Sequence, residues 1–175
     1  MKLLANVVLI IVFSVFCFAQ DWNGLTVLKS TRKDVEKVLG KPSKNIKNVN
    51  YNYYTDEETI LLDFASGKCT RRDSFEWKVK KGTLVNITIY KKKRPLLSTF
   101  DFDIKTFSKE DIDFHIERRY YRSPDRSISL EVSVSNKGEK DEKEEVLSII
   151  YSPKKEDYNL LCPVKSKIPT AKPKI

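Results

Sequence analysis

A helix too short to stand alone sets what this chain can fold into. Ser30 to Pro42 carries a full set of helix signals. Thr31 is placed to cap the start, with Asp34 three residues on in a capping-box arrangement. Val35, Val38 and Leu39 share one face, while Arg32, Lys33, Glu36 and Lys37 fall elsewhere. Gly40 supplies the left-handed position at the end, and Pro42 forbids continuation. The helix is about nine residues long, and isolated helices shorter than roughly 12–15 residues are marginal in water. Its apolar stripe must be packed on something, and the segments after it read as sheet.

Val49 to Thr55 is rich in Tyr and Val, and Thr59 to Ala65 in Ile, Leu and Phe. Asp56-Glu57-Glu58 lies between them, so the pair reads as a hairpin. Ser66-Gly67-Lys68 turns the chain out into a polar loop with Cys69, Arg71 and Arg72. A short strand is expected around Trp77, from Phe75 to Val79. Leu84 to Tyr90 alternates, with Val85, Ile87 and Ile89 on one face and Asn86, Thr88 and Tyr90 on the other. The basic run Lys91-Lys92-Lys93-Arg94-Pro95 should end that strand.

The second half echoes the first. Tyr120-Tyr121, the turn Ser123-Pro124-Asp125, then Ile128, Leu130 and Val132 repeat the order of Tyr53-Tyr54, Asp56-Glu57-Glu58, then Ile60, Leu62 and Phe64. Val146 to Tyr151 ends much as Leu84 to Tyr90 does. Two degenerate repeats, 20–95 and 96–162, are the expectation. Ser108 to Ile112 between them reads as the start of a second short helix. Asn136 to Glu145 reads as an exposed hairpin loop.

The chain opens with Met1-Lys2, an apolar run from Leu3 to Phe18, and small residues at Cys17 and Ala19. That is the pattern of a secretory signal peptide over 1–19, cleaved before Gln20. A retained anchor is the competing reading, but the run is about 16 residues where a span needs roughly 20. Lipid attachment at Cys17 is disfavoured by Phe16, because the residue before a modified Cys is small. The expected location is periplasmic or secreted.

Cleavage would leave two cysteines, Cys69 and Cys162. In an exported chain such a pair reads as one disulfide. Two unpaired buried thiols are the alternative. With His115 as the one histidine, these cysteines cannot complete a four-ligand zinc site, and no cofactor is implied.

The formal charge is +9, and the last 13 residues hold four lysines and no acidic group. Pro163 to Ile175 therefore reads as a disordered Lys/Pro tail. Lys165, Lys167, Lys172 and Lys174, with Lys91, Lys92, Lys93 and Arg94, are the candidate surface-binding residues. Their expected targets are acidic proteins, anionic envelope polymers or lipid headgroups in peripheral contact. Nucleic acid is not an expected partner of an exported protein. Tyr51, Tyr53, Tyr54, Tyr120 and Tyr121 with Arg118, Arg119 and Arg122 form an aromatic-basic pattern of the kind single-strand binders use. Tyrosine is also simply a favoured strand residue. Asn86-Ile87-Thr88 fits the glycosylation sequon but sits inside an expected strand.

Catalytic signals are weak. No Gly-x-Ser-x-Gly elbow marks a nucleophile for His115 to activate. Asp101 and Asp103 can share a strand face, yet nothing sets them across a cleft as glycosidase chemistry needs. No catalytic residue is assigned.

Gly24, Thr31, Asp34, Val35, Leu39, Gly40 and Pro42, then Tyr53 or Tyr54, resemble the start of small envelope domains of the SmpA/OmlA type. These are the outer-membrane assembly lipoprotein E-like proteins, whose fold is shared with β-lactamase inhibitory protein. A wider pattern resembles a group of uncharacterised exported bacterial proteins. It comprises Ser30 to Glu36, Gly67-x-Cys69, Trp77, Ile149 to Pro153 and Cys162. The resemblance implies an α+β fold, a short helix on antiparallel sheet, used for protein contacts rather than catalysis. The expectation is thus a non-catalytic binding or scaffolding protein of the cell envelope. An inhibitor of a secreted enzyme is the first alternative and an unrecognised hydrolase the second.

Overall fold

The computed structural model describes residues 21–46, 50–69, 76–113 and 117–163. The expected signal peptide, Arg71, Arg72, Phe75, His115 and the four tail lysines lie outside them. A two-stranded ribbon comes first, β1 (Asp21–Trp22) with β2 (Leu25–Thr26). Helix α1 (Arg32–Leu39) comes next. Eight strands then build one sheet: β3 (Lys44–Ile46), β4 (Asn50–Tyr54), β5 (Glu58–Phe64), β6 (Leu84–Lys91), β7 (Ser108–Asp113), β8 (Arg118–Arg122), β9 (Ile128–Ser135) and β10 (Lys143–Tyr151). Their spatial order is β3-β4-β5-β6-β10-β9-β8-β7, antiparallel throughout. Two four-stranded meanders therefore run inward from opposite edges. They meet where Ile89 of β6 stands opposite Ile149 of β10. The architecture is α+β, one short helix packed on antiparallel sheet.

The helix begins where the sequence places it. The Asp34 carboxylate accepts hydrogen bonds from the Thr31 N–H and Oγ1–H, both at 2.7 Å. At the far end Gly40 takes φ +78°, and its N–H donates to the Glu36 carbonyl at 2.9 Å. That positive φ is strained for any residue with a Cβ. The buried face differs from the expected one. Val35 is fully buried and Leu39 packs at the core margin, but Val38 is 46% exposed. Arg32 takes the remaining inward position, one turn before Val35 and Glu36, with its guanidinium 5.3 Å from the Phe64 ring centroid. The contact stripe is thus 32-35-36-39, and Val38 lies outside it. Tyr51 Oη donates to Glu36 Oε1 at 2.9 Å, and Tyr53 Oη to the Gly40 carbonyl at 3.0 Å. Two tyrosines of β4 thereby tie down the helix that covers them.

The core lies on this one side of the sheet. Ile60, Leu62 and Phe64, then Leu84, Ile87 and Ile89, then Leu130, Val132, Val146 and Ile149 are buried there. Complete burial of one such side chain contributes about 1.5–3 kcal/mol. Helix α1 and Leu25 cover the first meander. The second is covered by the connection between the halves, through Leu97, Phe100, Phe102, Ile104 and Phe107.

Three local expectations are corrected. Ser108 to Ile112 is no helix: it belongs to edge strand β7. Its acidic residues face arginines of β8, Glu110 to Arg122 at 3.1 Å and Asp111 to Arg119 at 2.8 Å, and these pairs hold it extended. Val85 does not share the face of Ile87 and Ile89. A bulge breaks the β5–β6 register beside it, so Phe64 pairs with Leu84 while Asp63 pairs with Asn86. Leu84 takes the core position. Around Trp77 there is no strand among the described residues, only a single bridge to Leu161.

Candidate functional site

Period-two alternation gives the sheet a second face, turned away from α1. One row crosses seven strands: Tyr54, Thr59, Tyr90, Ser148, Glu131, Tyr120 and Glu110, each opposite the next. Beside it runs Asn52, Leu61, Thr88, Ile150, Ser129 and Arg122. Tyr54 is 53% exposed and Tyr90 44%. Between the large residues stand small ones, of which Ser148 is fully buried. Glu131 organises the centre. It pairs with Arg118 Nη1 at 2.6 Å and accepts from Ser148 Oγ at 3.2 Å. Burial first, then the Glu131 charge, raises the Tyr120 phenol above its ordinary pKa. Tyrosine carries large contact area on two side-chain torsions, so rings fixed on a sheet are low-entropy anchors for a partner.

At one end of this face lies a pocket of about 340 Å³. Its polar part is Asp63, Asn86 and Ser152; Trp77, Val85, Pro153, Tyr158 and Leu161 supply the apolar walls. Asn50 Nδ2 donates to Asp63 Oδ1. Asn86 Nδ2 donates to Asp63 Oδ2 at 3.2 Å, and Ser152 Oγ donates to Asn86 Oδ1 at 3.2 Å. The walls come from two segments far apart in sequence. Cys69 and Cys162 are joined as a disulfide with Cα atoms 5.4 Å apart, which removes the alternative of two free thiols. Backbone bonds continue the seam, Lys78 N–H to the Leu160 carbonyl at 2.6 Å and Cys162 N–H to the Glu76 carbonyl at 2.7 Å. Trp77 and Tyr158 meet edge to face at 6.0 Å.

Two of the four residues of the expected basic patch are met by acid. Lys91 Nζ lies 2.6 Å from Glu58 Oε2, and Lys93 Nζ lies 3.9 Å from Glu57 Oε1. Lys92 donates from Nζ to the Thr55 carbonyl. Arg94 comes next, in the turn, at φ +43°. Glu58, at the start of β5, thus stands across from Lys91 at the end of β6, and Glu57 of the preceding turn lies near Lys93. Strand alternation likewise divides the aromatic-basic pattern. Tyr51, Tyr53, Tyr121 and Arg119 point into the core side, while Tyr54, Tyr120, Arg118 and Arg122 face out.

Sequence reasoning missed two clusters. One is the pocket, whose polar members meet by strand pairing beside the bulge at Val85 and whose aromatic walls come from the segments near the disulfide. The other is Arg119, 3% exposed and surrounded by Asp111, Glu142 and Glu144. Burial pushes its guanidinium toward losing the proton; hydrogen bonds to Glu142, Asp111 and Glu144 outweigh that and raise its pKa. Tyr121 Oη donates to Glu144 Oε1 at 2.6 Å and completes the cage. A shallow cleft of about 530 Å³ opens beside it, between Phe100, Phe102 and Ile104 and the start of β10. Asp103 lies at its rim, and Asp101 is exposed. Among the described residues no helix is long and apolar enough to cross a membrane.

No protein-family model and no curated protein sequence matches the chain. Among solved structures, a DUF4309 family protein, YjgB of Bacillus subtilis subsp. subtilis strain 168, is similar at 13% identity and a TM-score of 0.42. The match covers 74% of this chain and 83% of that one.

Proposed function

We propose that the chain is a non-catalytic, exported binding protein of the cell envelope, and that it docks a partner protein on the open face of its sheet. The observation that carries this reading is the row Tyr54–Tyr90–Tyr120, spaced by Thr59, Ser148 and Glu131 on an antiparallel sheet. Tyrosine is among the residues enriched at the energetic centres of protein interfaces. The disulfide supports an oxidising compartment, and the resemblance of residues 24–42 to SmpA/OmlA-type domains supports an envelope role. The basic run is a weaker candidate, because Glu57 and Glu58 already engage two of its lysines.

The test is site-specific photocrosslinking in native envelope. A photoreactive residue at position 54, 90 or 120 should give one discrete adduct. The same group at position 38, exposed on α1, should give none. Adducts from position 38 alone, or from no position, would overturn the reading. An inhibitor of a secreted enzyme is the second reading, favoured by the same exposed tyrosines. It holds if the captured partner is an enzyme that loses activity when bound to the wild type and keeps it with Tyr90→Arg.

A further inference from the structure

We propose that the pocket between Trp77 and Tyr158 is a receptor for an alkylammonium or guanidinium group, that is, for one lysine or arginine side chain of a ligand. Such a receptor does not require the tyrosine row to be a docking surface.

Asp63 is the centre of the site. Among the described residues it takes part in no ion pair. Each of its oxygens accepts from an amide, Oδ1 from Asn50 and Oδ2 from Asn86. Amides orient a carboxylate without neutralising it. Asn86 is itself fixed: its Nδ2 also reaches Thr88 Oγ1 at 3.1 Å, and its Oδ1 accepts from Ser152. The pocket therefore holds a pre-aimed negative charge in a chain of formal charge +9. Its walls suit the rest of a basic side chain. Val85, Pro153 and Leu161 can cover a methylene stem, and Trp77 and Tyr158 bring two aromatic rings to the same pocket. A cation over the face of an aromatic ring, within about 6 Å of its centroid, is attracted by the ring quadrupole. The volume of about 340 Å³ is at the small end of ligand pockets. An anionic ligand would meet Asp63 unfavourably, and a neutral one would leave its charge uncompensated.

The two tryptophans, Trp22 and Trp77, make the test direct. Trp22 packs against the core side and serves as an internal control. Indole resonances of ¹⁵N-labelled, disulfide-intact protein are monitored while Nα-acetyl-lysine methylamide is added. The Trp77 indole should shift saturably, with Trp22 unmoved. The Nε-acetylated, uncharged analogue should bind at least tenfold more weakly, as should the lysine probe on Asp63→Asn. The charged-against-neutral comparison uses the wild type, so it stands even if the variant fails to fold. Equal response to the neutral analogue would overturn the proposal, as would a saturable response to N-acetylglucosamine in place of the amine. Absence of any saturable Trp77 shift, or undiminished binding by a folded Asp63→Asn, would do the same.

Discussion

Replacing Arg119 by methionine keeps most of the buried stem and removes the charge at the centre of the acidic cage. The guanidinium gives Nε to Asp111 at 2.8 Å and Nη1 to Glu142 at 2.5 Å and to Glu144. Breaking a buried ion pair by deleting one partner costs about 3–5 kcal/mol. Here the carboxylates keep 20–41% of their side-chain exposure, so water can reach them once the cation is gone. The expected loss is therefore lower, about 2–3 kcal/mol at pH 7. Its pH dependence is diagnostic. The Arg119 hydrogen bond, then that of Lys137, holds Asp111 below the usual carboxylate range. Glu142 is lowered first by the Gly138 N–H and then by Arg119. A carboxylate with a depressed folded pKa adds stability above its unfolded pKa, about 4, and loses it as pH falls through the folded value. The deficit of Arg119→Met should thus be largest near neutrality and shrink by pH 3. Urea midpoints at both pH values measure it. Arg122→Met is the control: its pair with Glu110 is about half exposed on both sides, so less than about 1 kcal/mol should be lost. A loss under about 1 kcal/mol for Arg119→Met at pH 7, or a deficit as large at pH 3, would refute the reasoning.

Cys69→Ser with Cys162→Ser should lower stability by about 2–4 kcal/mol in denaturant melts; because the bond ties 76–80 to 158–162, limited proteolysis should begin there while the sheet persists. Gly67→Ala should cost about 1–3 kcal/mol, since φ is +76° and a Cβ would lie 2.8 Å from that of Lys81. Gly138→Ala, at φ +81° with open space around it, should cost about 1 kcal/mol in the same assay. Burial, and then the Glu36 charge, push the Tyr53 phenol up to about 12. A raised folded pKa contributes stability that is complete below the unfolded value of about 10 and is lost as pH rises through the folded one. Ultraviolet titration should accordingly find a tyrosine class that does not ionise until about pH 12; full ionisation by pH 11 in folded protein would contradict its burial.

Elements whose signals are local are legible in the sequence. The helix declares itself through Thr31, Asp34, Gly40 and Pro42, β5 through its Ile, Leu and Phe content, and β9 through uninterrupted alternation. Cys69 and Cys162 can be paired from the sequence only on the expectation that residues 1–19, with Cys17, are removed. Features that depend on the neighbour across a strand are not legible. Ser108 to Asp113 has the charges of a helix start, and its conformation is decided by arginines of β8. Val85 alternates correctly in one dimension, and only the pairing with β5 reveals the slipped register. A helix stripe drawn from apolar residues alone puts Val38 inside, whereas Arg32 packs its guanidinium on Phe64 and takes that share of the buried face. The polar cluster of the pocket carries no sequence pattern, since Asp63, Asn86 and Ser152 come from three separate strands or strand ends.

The order β3-β4-β5-β6-β10-β9-β8-β7 also dictates when the molecule can be completed. A chain emerging from its amino end can zip the first meander early, because each strand pairs with the one before it. The inner side of β6 must then wait, its backbone donors and acceptors open, until β10, the last strand among the described residues, has emerged. An unsatisfied strand edge bordered by Ile87 and Ile89 is a site for pairing with a second nascent copy. The length of chain that separates Ile89 from Ile149 therefore measures an interval of vulnerability during biogenesis. The partner that ends it is supplied by the same chain, and truncation before residue 143, where β10 begins, would leave the seam permanently open.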